Sequence, residues 1–300
     1  MHPDLCTAFK IQSYPTQILV NQSHPFVALT GHPSIENIKV FIHDLKYPAY
    51  EVLDENSFYE RVQSRPLGEL WLVYFTLDNC DLCEHVKPEI RLLAKRMTGI
   101  VKIAMGKFFT ELIDAKNLKH AKNLKIHFLV HCSKNKDLCK SQRLDAFPEI
   151  RVYLPKRETS LNPGFIDYEY NDRRAGTIGL WLSQYLGPVR SFESQIDWIE
   201  LRNRECDWLV HFKTIRHPKS VRFSPVFAAA SNDFPDIKFA EVDCNRWADK
   251  CSKEYFVSEF PTVMRFSVNR SDPPSKIITD FDRAKFSELF RKLISVHDEL

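Results

Sequence analysis

Short apolar runs and amphipathic segments alternate along the chain in an order that repeats. The run Leu70–Phe75 predicts a buried strand, and the segment Asp81–Met97 predicts a long helix directly after it. The run Trp208–Phe212 and the segment Lys219–Asn232 show the same succession. Each pair is followed by a further apolar run, a short helix and a strand that starts at an aromatic–Pro step. This order predicts an α/β fold, in which a central mixed sheet has helices on both faces.

The chain carries two full copies and one partial copy of this unit. The stretch Trp71–Pro88 aligns without a gap with the stretch Trp208–Pro225, whereas the N-terminal residues contain only the later part, ending in the strand after Tyr14-Pro15. We therefore expect tandem domains. They comprise a truncated domain at 1–48, a full domain at 49–187, a second full domain at 188–296 and a C-terminal tetrapeptide at 297–300.

One segment of the first full copy has no counterpart in the second. A strand is predicted at Ile100–Ala104, and residues from about 105 to 129 then interrupt the repeat. We interpret this insertion either as an extra surface loop or as unspliced sequence. The second interpretation is favoured because removal of the segment restores the spacing of the repeat.

The composition excludes several classes of protein. The 300 residues are 44% hydrophobic and 27% charged, which is ordinary for globular domains. The net charge is only +3 and acids and bases are interspersed, so neither a nucleic acid nor a membrane is an expected partner. No apolar run approaches the roughly 18 residues that a membrane span needs.

The candidate chemistry is concentrated in Cys80-Asp81-Leu82-Cys83, between the first apolar strand and the long helix. A thiol at a helix N-terminus is favoured as the thiolate, and two intervening residues let the pair close a disulfide. A structural disulfide and a zinc half-site are the alternatives for this spacing. In the second full copy His217 and Ser220 take the two positions, which makes this a degenerate active site.

An aromatic–Pro step begins the strand after the short helix in every copy. Such a step is where a cis-proline is expected, and Pro148 would then bring its backbone against Cys80 and Cys83.

The C-terminus indicates the compartment. His297-Asp298-Glu299-Leu300 is a tetrapeptide read by the ER retrieval receptor, which predicts residence in the endoplasmic reticulum lumen. Residues 1–20 have no features of a signal peptide, so we interpret the chain as the C-terminal part of a longer precursor. Asn21 and Asn269 begin sequons that a lumenal chain could use for N-glycosylation.

Over nearly the whole chain, these motifs resemble the thioredoxin fold of the protein disulfide isomerase family. The arrangement is similar to the C-terminal region of the DnaJ–thioredoxin disulfide reductases of the ER. The segments that carry this likeness are Ile38–Leu45, Phe147–Tyr153, Phe223–Pro225 and Val242–Cys244.

The resemblance implies an ER thiol–disulfide oxidoreductase biased towards reduction. Cys80 would be the nucleophile, Cys83 the resolving thiol and Pro148 the third site residue, and no cofactor is expected. The substrates would be misfolded disulfide-bonded client proteins, reduced for folding or for ER-associated degradation. Lumenal Hsp70 would be recruited through an upstream J domain that this chain lacks.

The resemblance further implies structural disulfides Cys132–Cys139 and Cys244–Cys251, for which a redox role is the alternative. Cys206 has no counterpart and is expected to be a free thiol.

The chain also departs from the family. Asp81 places a negative charge beside Cys80, which opposes thiolate formation and favours a reducing couple. Tyr74 and His211 replace an acid that helps proton transfer. A non-catalytic module that binds clients or partner proteins is therefore the alternative function.

Overall fold

The computed structural model describes most of the two full copies and parts of the N-terminal region. The described residues are 17–21, 24–29, 34, 35, 38, 39, 42, 52–98, 100, 129–159, 164–277 and 279–298. The Tyr14-Pro15 step, residues 101–128 and the final Glu299 and Leu300 lie outside them. The interpretation of the insertion therefore stays a prediction.

The N-terminal region contributes a hairpin. Strand β1 (Gln17–Asn21) pairs antiparallel with β2 (His24–Leu29), so that Gln17 lies opposite Leu29. Each full copy has the same kind of antiparallel strand pair after its aromatic–Pro step. The domain limits given above remain predictions.

The first full copy is a five-stranded mixed sheet with the order β3-β5-β4-β6-β7. Strands β3, β5 and β4 are parallel, and β6 and β7 run antiparallel to their neighbours. In chain order, the elements are β3 (Val52–Leu53), α1 (Glu55–Phe58), β4 (Trp71–Thr76), α2 (Asp81–Arg96), β5 (Leu129–His131), α3 (Lys136–Ser141), β6 (Glu149–Tyr153), β7 (Phe165–Asp167) and α4 (Ala175–Ser183).

The second full copy repeats this topology in the order β8-β10-β9-β11-β12, with the last two strands again antiparallel. Its elements are β8 (Val189–Ser191), α5 (Gln195–Arg202), β9 (Trp208–Lys213), α6 (Pro218–Ala230), β10 (Lys238–Asp243), β11 (Thr262–Phe266), β12 (Ser275–Ile277) and α7 (Arg283–Asp298). The predicted fold class is confirmed: each full copy is a thioredoxin-like α/β unit.

Side-chain alternation along the central strands explains why helices cover both faces. In β9, Trp208, Val210 and Phe212 belong to one buried cluster, which also contains Trp198 of α5. Between them, His211 faces the other side of the sheet and contacts aromatic rings of α6. Both faces of the strand are buried, as is usual for a strand in the middle of a parallel sheet.

Three local differences from the sequence reading concern short elements. The edge strands β3 and β8 were not predicted, because strands of two or three residues are too short to show an alternation of apolar and polar positions in the sequence. The strand beside β4 is Leu129–His131, directly before Cys132, and Ile100 lies in a turn. The short helix α1 is continued by a π-helical turn at Tyr59–Gln63, a geometry that the sequence did not indicate.

Candidate active site

The two cysteines of the first full copy lie where β4 passes into α2. They are bonded to each other, with an S–S distance of 2.02 Å and Cα atoms 5.2 Å apart. Cys80 is half-buried and Cys83 is fully buried. Asn79, at φ +57°, turns the chain into the helix, and Asn is one of the few residues that adopt this left-handed conformation at low cost. The turn therefore leaves the first sulfur accessible and places the second beneath the helix.

The N-terminus of α2 is directed at the first sulfur. The backbone N–H of Cys83 donates a hydrogen bond to Sγ of Cys80 over 3.1 Å. An N–H group without an acceptor inside the helix and the positive end of the helix dipole stabilise a negative charge at this position. In the reduced protein, the same geometry favours the thiolate of Cys80 over that of Cys83.

Pro148 lies on the same edge of the sheet. It is buried, and its peptide bond with Phe147 is cis. Strand β6 starts at the next residue, Glu149, which pairs with Phe75 at the end of β4. Because β4 leads from this point directly to Cys80, the sheet brings the proline loop and the disulfide to the same end of the unit. Phe260-Pro261 is also cis in the second full copy.

Tyr74, which replaces the acid implied by the family resemblance, lies beneath the disulfide. Its side chain is fully buried, and its hydroxyl donates a hydrogen bond to the carbonyl oxygen of Cys83 over 2.8 Å. Burial raises the pKa of Tyr74 well above its usual range. The phenol therefore stays protonated and cannot accept the proton of the Cys83 thiol at neutral pH. Its contribution is to fix the first turn of α2 against β4.

Replacement of Tyr74 by phenylalanine should expose this structural contribution. The Tyr74→Phe variant loses one buried hydrogen bond, and we expect the first full copy to be destabilised by about 1 kcal/mol. Denaturant unfolding, followed by fluorescence and near-ultraviolet circular dichroism, measures the change. Tyr170→Phe is the matched control, because Tyr170 is 56% exposed and should tolerate the change. Equal midpoints for Tyr74→Phe and the unmodified chain would contradict the structural role.

His131 is a neighbour of this site that the sequence reading missed. It ends β5 opposite Thr76, and paired residues share a face, so it lies on the face of β4 that Tyr74 and α2 occupy. Its Nδ1 is buried and lies 3.6 Å from Oδ1 of Asp78. Burial, with a smaller contribution from the nearby charge of Lys87, lowers the pKa of His131. The imidazole is therefore neutral at neutral pH.

The second full copy has no dithiol at the corresponding helix start. His217 and Ser220 take the two positions, and Ser220 is fully buried. The hydroxyl of Ser220 and Nδ1 of His217 are buried and have no hydrogen-bond partner among the described residues. A hydroxyl and an imidazole cannot exchange disulfides, so this end of the sheet has no such chemistry of its own.

A buried charge cluster lies on the central strands of the same copy, where His211 contacts aromatic rings of α6. Glu241 of β10 accepts hydrogen bonds from His211, at 3.0 Å, and from Lys213. Burial alone raises the pKa of Glu241, but the hydrogen bond from His211 and the charge of Lys213 outweigh it and hold the pKa at about 2. Burial lowers the pKa of His211, which is therefore neutral and donates through Nδ1. The sequence reading missed Glu241, although one acid between Phe239-Ala240 and Val242 was a visible signal.

The remaining predicted residues fall in several separate places. Cys132 is bonded to Cys139 and Cys244 to Cys251, whereas Cys206 is a half-buried free thiol. Each of these two disulfides joins the end of a parallel strand to the short helical segment that follows.

The two sequons and the C-terminal tetrapeptide lie at other points of the fold. Asn269 is exposed in the turn between β11 and β12, and Asn21 is the last residue of β1. His297 and Asp298 form the end of α7, whereas the other two residues of the tetrapeptide are among those not described.

Two negative findings apply to the described part of the chain. Its His, Cys, Asp and Glu side chains nowhere form a group of three or more that could hold a metal ion. Among the helices of these residues, none combines the length and the apolar character needed to cross a bilayer.

Comparison with known proteins gives relatives along most of the chain, although no family model matches it. DnaJ homolog subfamily C member 10 from Homo sapiens is 26% identical over 275 residues, which cover 90% of this chain and 31% of that protein. The protein of the same name from Xenopus laevis is 25% identical over 276 residues, with the same coverage. The chain thus spans about a third of the length of these relatives.

Solved structures show the same fold. The crystal structure of full-length ERdj5 matches with a TM-score of 0.55 and 23% identity, covering 98% of this chain and 39% of that one. ERdj5 form I matches with a TM-score of 0.55, 22% identity and coverage of 98% and 36%. Over 90% of its length, the chain is homologous to DnaJ homolog subfamily C member 10, and its two full copies are thioredoxin-like domains.

Proposed function

We propose that the chain is a thiol–disulfide oxidoreductase that works through Cys80 and Cys83. The observation that carries the proposal is the hydrogen bond from the N–H of Cys83 to the half-buried sulfur of Cys80 at the start of α2. This arrangement gives one accessible sulfur with a stabilised thiolate and one buried sulfur within bonding distance. Pro148, at the same end of the sheet, is the third residue that we assign to the site.

The proposed reaction transfers two electrons from the reduced dithiol to a client disulfide. The thiolate of Cys80 attacks one client sulfur, forms a mixed disulfide and releases the other client sulfur as a thiolate. Cys83 then loses its proton and attacks Sγ of Cys80, which releases the second client thiol and restores the Cys80–Cys83 disulfide. An external thiol reductant, such as glutathione, must return the pair to the dithiol.

The order of the two attacks can be tested by trapping. In a Cys83→Ala variant, Cys80 can still attack a client, but the mixed disulfide cannot be resolved, so a covalent adduct should accumulate. The adduct is measured on a non-reducing gel after acid quenching and alkylation, with scrambled ribonuclease as the client. Cys206→Ser in the same background controls for the free thiol. Without an adduct in Cys83→Ala, or with an equal adduct in Cys80→Ala, the assigned roles would be wrong.

The direction of the reaction, its compartment and its clients are part of the same proposal. Asp81 is exposed beside Cys80, and its negative charge opposes the thiolate, which favours the disulfide form and a reducing couple. Homology to a DnaJ protein and the C-terminal tetrapeptide support the ER lumen, with misfolded disulfide-bonded proteins as clients for refolding or degradation. Lumenal Hsp70, recruited through an upstream J domain, and the ER retrieval receptor are the proposed partners.

A redox titration against glutathione tests the direction. A reductase should have a potential near that of thioredoxin, about −270 mV, whereas a potential of about −180 mV or higher would contradict the reducing bias.

A second function, a non-catalytic binding module, is favoured by specific residues. Tyr74 replaces the acid beneath the dithiol and cannot accept its proton, and the second full copy has His217 and Ser220 in place of cysteines. In this alternative the disulfide at Cys80 is structural, and the two units hold clients without exchanging disulfides. Failure of the trapping experiment in every variant would support it.

A further inference from the structure

The second full copy contains a cavity at the end of its sheet where β9 begins and β11 ends. Its volume is about 910 Å³, which is within the range of pockets that hold small ligands. Asp207, which precedes β9, lines the cavity, whereas His217 follows β9. The cavity therefore lies at the opposite end of the strand from the degenerate site and is independent of it.

Two of the acids that line the cavity are already paired with arginines. Asp207 lies 2.7 Å from the guanidinium of Arg265, and Asp233 lies 2.5 Å from that of Arg283. Asp236 is exposed, and within the described part of the chain no hydrogen bond or ion pair engages its carboxylate. The cavity thus has a hydrogen-bond acceptor that is open to a ligand.

The rest of the lining combines apolar surface with further polar groups. Phe234, Ile237 and Pro273 contribute apolar atoms, and Ser275 contributes a hydroxyl beside the carboxylate of Asp236. A ligand with apolar C–H faces and several hydroxyl donors matches this lining, and a sugar ring has this chemistry. A metal ion does not match it, because the described acids, histidines and cysteines nowhere form a group of three that could hold one.

Asn269 lines the same cavity, and it begins the sequon Asn269-Arg270-Ser271. All three residues are exposed in the turn between β11 and β12. Oδ1 of Asn269 accepts a hydrogen bond from the backbone N–H of Ser271 over 3.2 Å, and Nδ2 donates to Oδ1 of Asp272 over 3.0 Å. The side chain is therefore held in one position against another residue of the cavity wall.

The amide nitrogen of Asn269 can carry a substituent without losing this contact. Nδ2 has two hydrogens, and the bond to Asp272 uses one of them. An N-linked sugar replaces a single hydrogen, so the remaining N–H still donates to Asp272. A sugar attached at this point has a high effective concentration at the cavity, so weak contacts are enough to hold it there.

We propose that Asn269 carries an N-linked glycan whose first sugar occupies this cavity. The proposal rests on the lumenal compartment of the proposed function, where an oligosaccharyltransferase uses a lipid-linked oligosaccharide pyrophosphate as donor. Nδ2 forms a bond to the anomeric carbon of the first sugar and loses a proton, while the bond from that carbon to the pyrophosphate oxygen breaks and the lipid pyrophosphate leaves. Hydroxyl groups of the first sugar then donate to Asp236, and its C–H face packs on Ile237 and Pro273.

Occupancy is tested on the full chain, directed into the ER of cultured cells by an added signal peptide. Peptide-N-glycosidase in heavy-oxygen water converts a glycosylated asparagine into labelled aspartate, which mass spectrometry detects. We expect the label at Asn269 in the unmodified chain and in Asn21→Gln, and no label there in Ser271→Ala. An unlabelled Asn269 in the unmodified chain would overturn the proposal. Because the signal peptide delivers the chain, this result does not depend on the chemistry of Cys80, which insulin reduction measures separately.

The thermal midpoint of the second full copy tests whether the first sugar lies in the cavity. Three forms are compared: the bacterial chain without a glycan, the glycosylated chain, and the chain trimmed by an endoglycosidase to a single sugar. We expect the two forms that carry sugar to have the same midpoint, about 4 °C above that of the bacterial chain. Equal midpoints in all three forms, or a stabilisation that disappears on trimming, would overturn the proposal.

Asp236→Ala tests the contact inside the cavity. Asp236 is exposed, so the change should leave the midpoint of the bacterial chain unaltered, and it should about halve the stabilisation by the single sugar because one acceptor is lost. Asp249→Ala is the matched control, because Asp249 is 83% exposed and outside the cavity, and this variant should keep the full stabilisation. Equal stabilisation by the sugar in both variants would show that it does not reach the cavity.

Discussion

The Cys80→Ala variant is expected to reduce insulin only at the background rate of the reductant. Cys83 is fully buried beneath the first turn of α2, so it cannot replace Cys80 as the attacking thiol. The half-buried Cys80 is the sulfur that the helix N-terminus stabilises, and its removal leaves the site without a nucleophile. The rate of insulin precipitation with dithiothreitol, at equal protein concentrations, measures the loss.

One control variant and one control measurement make this result specific. Cys206→Ala removes a free, half-buried thiol and should keep the full rate of insulin reduction. Cys80→Ala should also retain its thermal midpoint, apart from the small contribution of a short disulfide loop. Background rates for both the unmodified chain and Cys80→Ala would remove the enzymatic proposal in favour of the binding module.

The Glu241→Gln variant is expected to lose about 3 kcal/mol of unfolding free energy in the second full copy. Lys213 is 14% exposed and its ammonium is bonded to Glu241, so a neutral amide leaves a largely buried cation without its counter-charge. The imidazole of His211 is fully buried and keeps only a weaker acceptor. Urea unfolding, followed by the fluorescence of Trp198 and Trp208, measures the loss.

A surface pair provides the matched control. Glu254 pairs with Lys250 at 2.9 Å along one helical turn and is 46% exposed, so Glu254→Gln should cost less than about 1 kcal/mol. The double variant Glu241→Gln/Lys213→Met should recover much of the loss, because it removes the unpaired charge as well. If Glu241→Gln alone changes the unfolding free energy only slightly, water replaces the carboxylate as the partner of Lys213.

Acid should weaken the same cluster in a defined range of pH. The pKa of Glu241 is lowered to about 2 in the folded chain, from 4.5 in the unfolded one, so its ionised form stabilises the fold above pH 4.5. That contribution decreases as the pH falls from about 5 and is lost below about 2. Glu241→Gln should therefore show a shallower decrease of stability across this range than the unmodified chain.

Long, repeated features of the fold could be predicted from the sequence, whereas contacts between strands could not. The apolar strands β4 and β9 and the helices after them have strong periodicity, and two aligned copies supported each prediction. The edge strands β3 and β8 are too short for such a pattern. The cluster at Glu241 depends on the register of β10 against β9, which places Glu241 opposite His211 and becomes visible only in the folded sheet.

In the candidate site, too, some features could be predicted from the sequence and others could not. Cys80, Cys83 and Pro148 were identified because their local motifs are short and specific. The hydroxyl of Ser220, which has no hydrogen-bond partner in the described part of the chain, was not, because an unmet hydrogen bond depends on the surroundings and not on the residue type. The sequence shows directly that position 74 carries no acid. It does not show the hydrogen bond from the Tyr74 hydroxyl to the carbonyl oxygen of Cys83.

The burial of the Cys132–Cys139 bond has a consequence for the redox cycle. The two residues are only 4% and 5% exposed, whereas Cys80 of the same domain is half-buried. Thiol exchange requires in-line approach of a thiolate, so a reductant that reaches Cys80 freely cannot reach the other pair without local unfolding. On the proposed function, one domain would hold a bond that turns over and a bond that persists in the same medium. The difference in accessibility between the two disulfides, more than a difference in reduction potential, would then set their different rates of exchange.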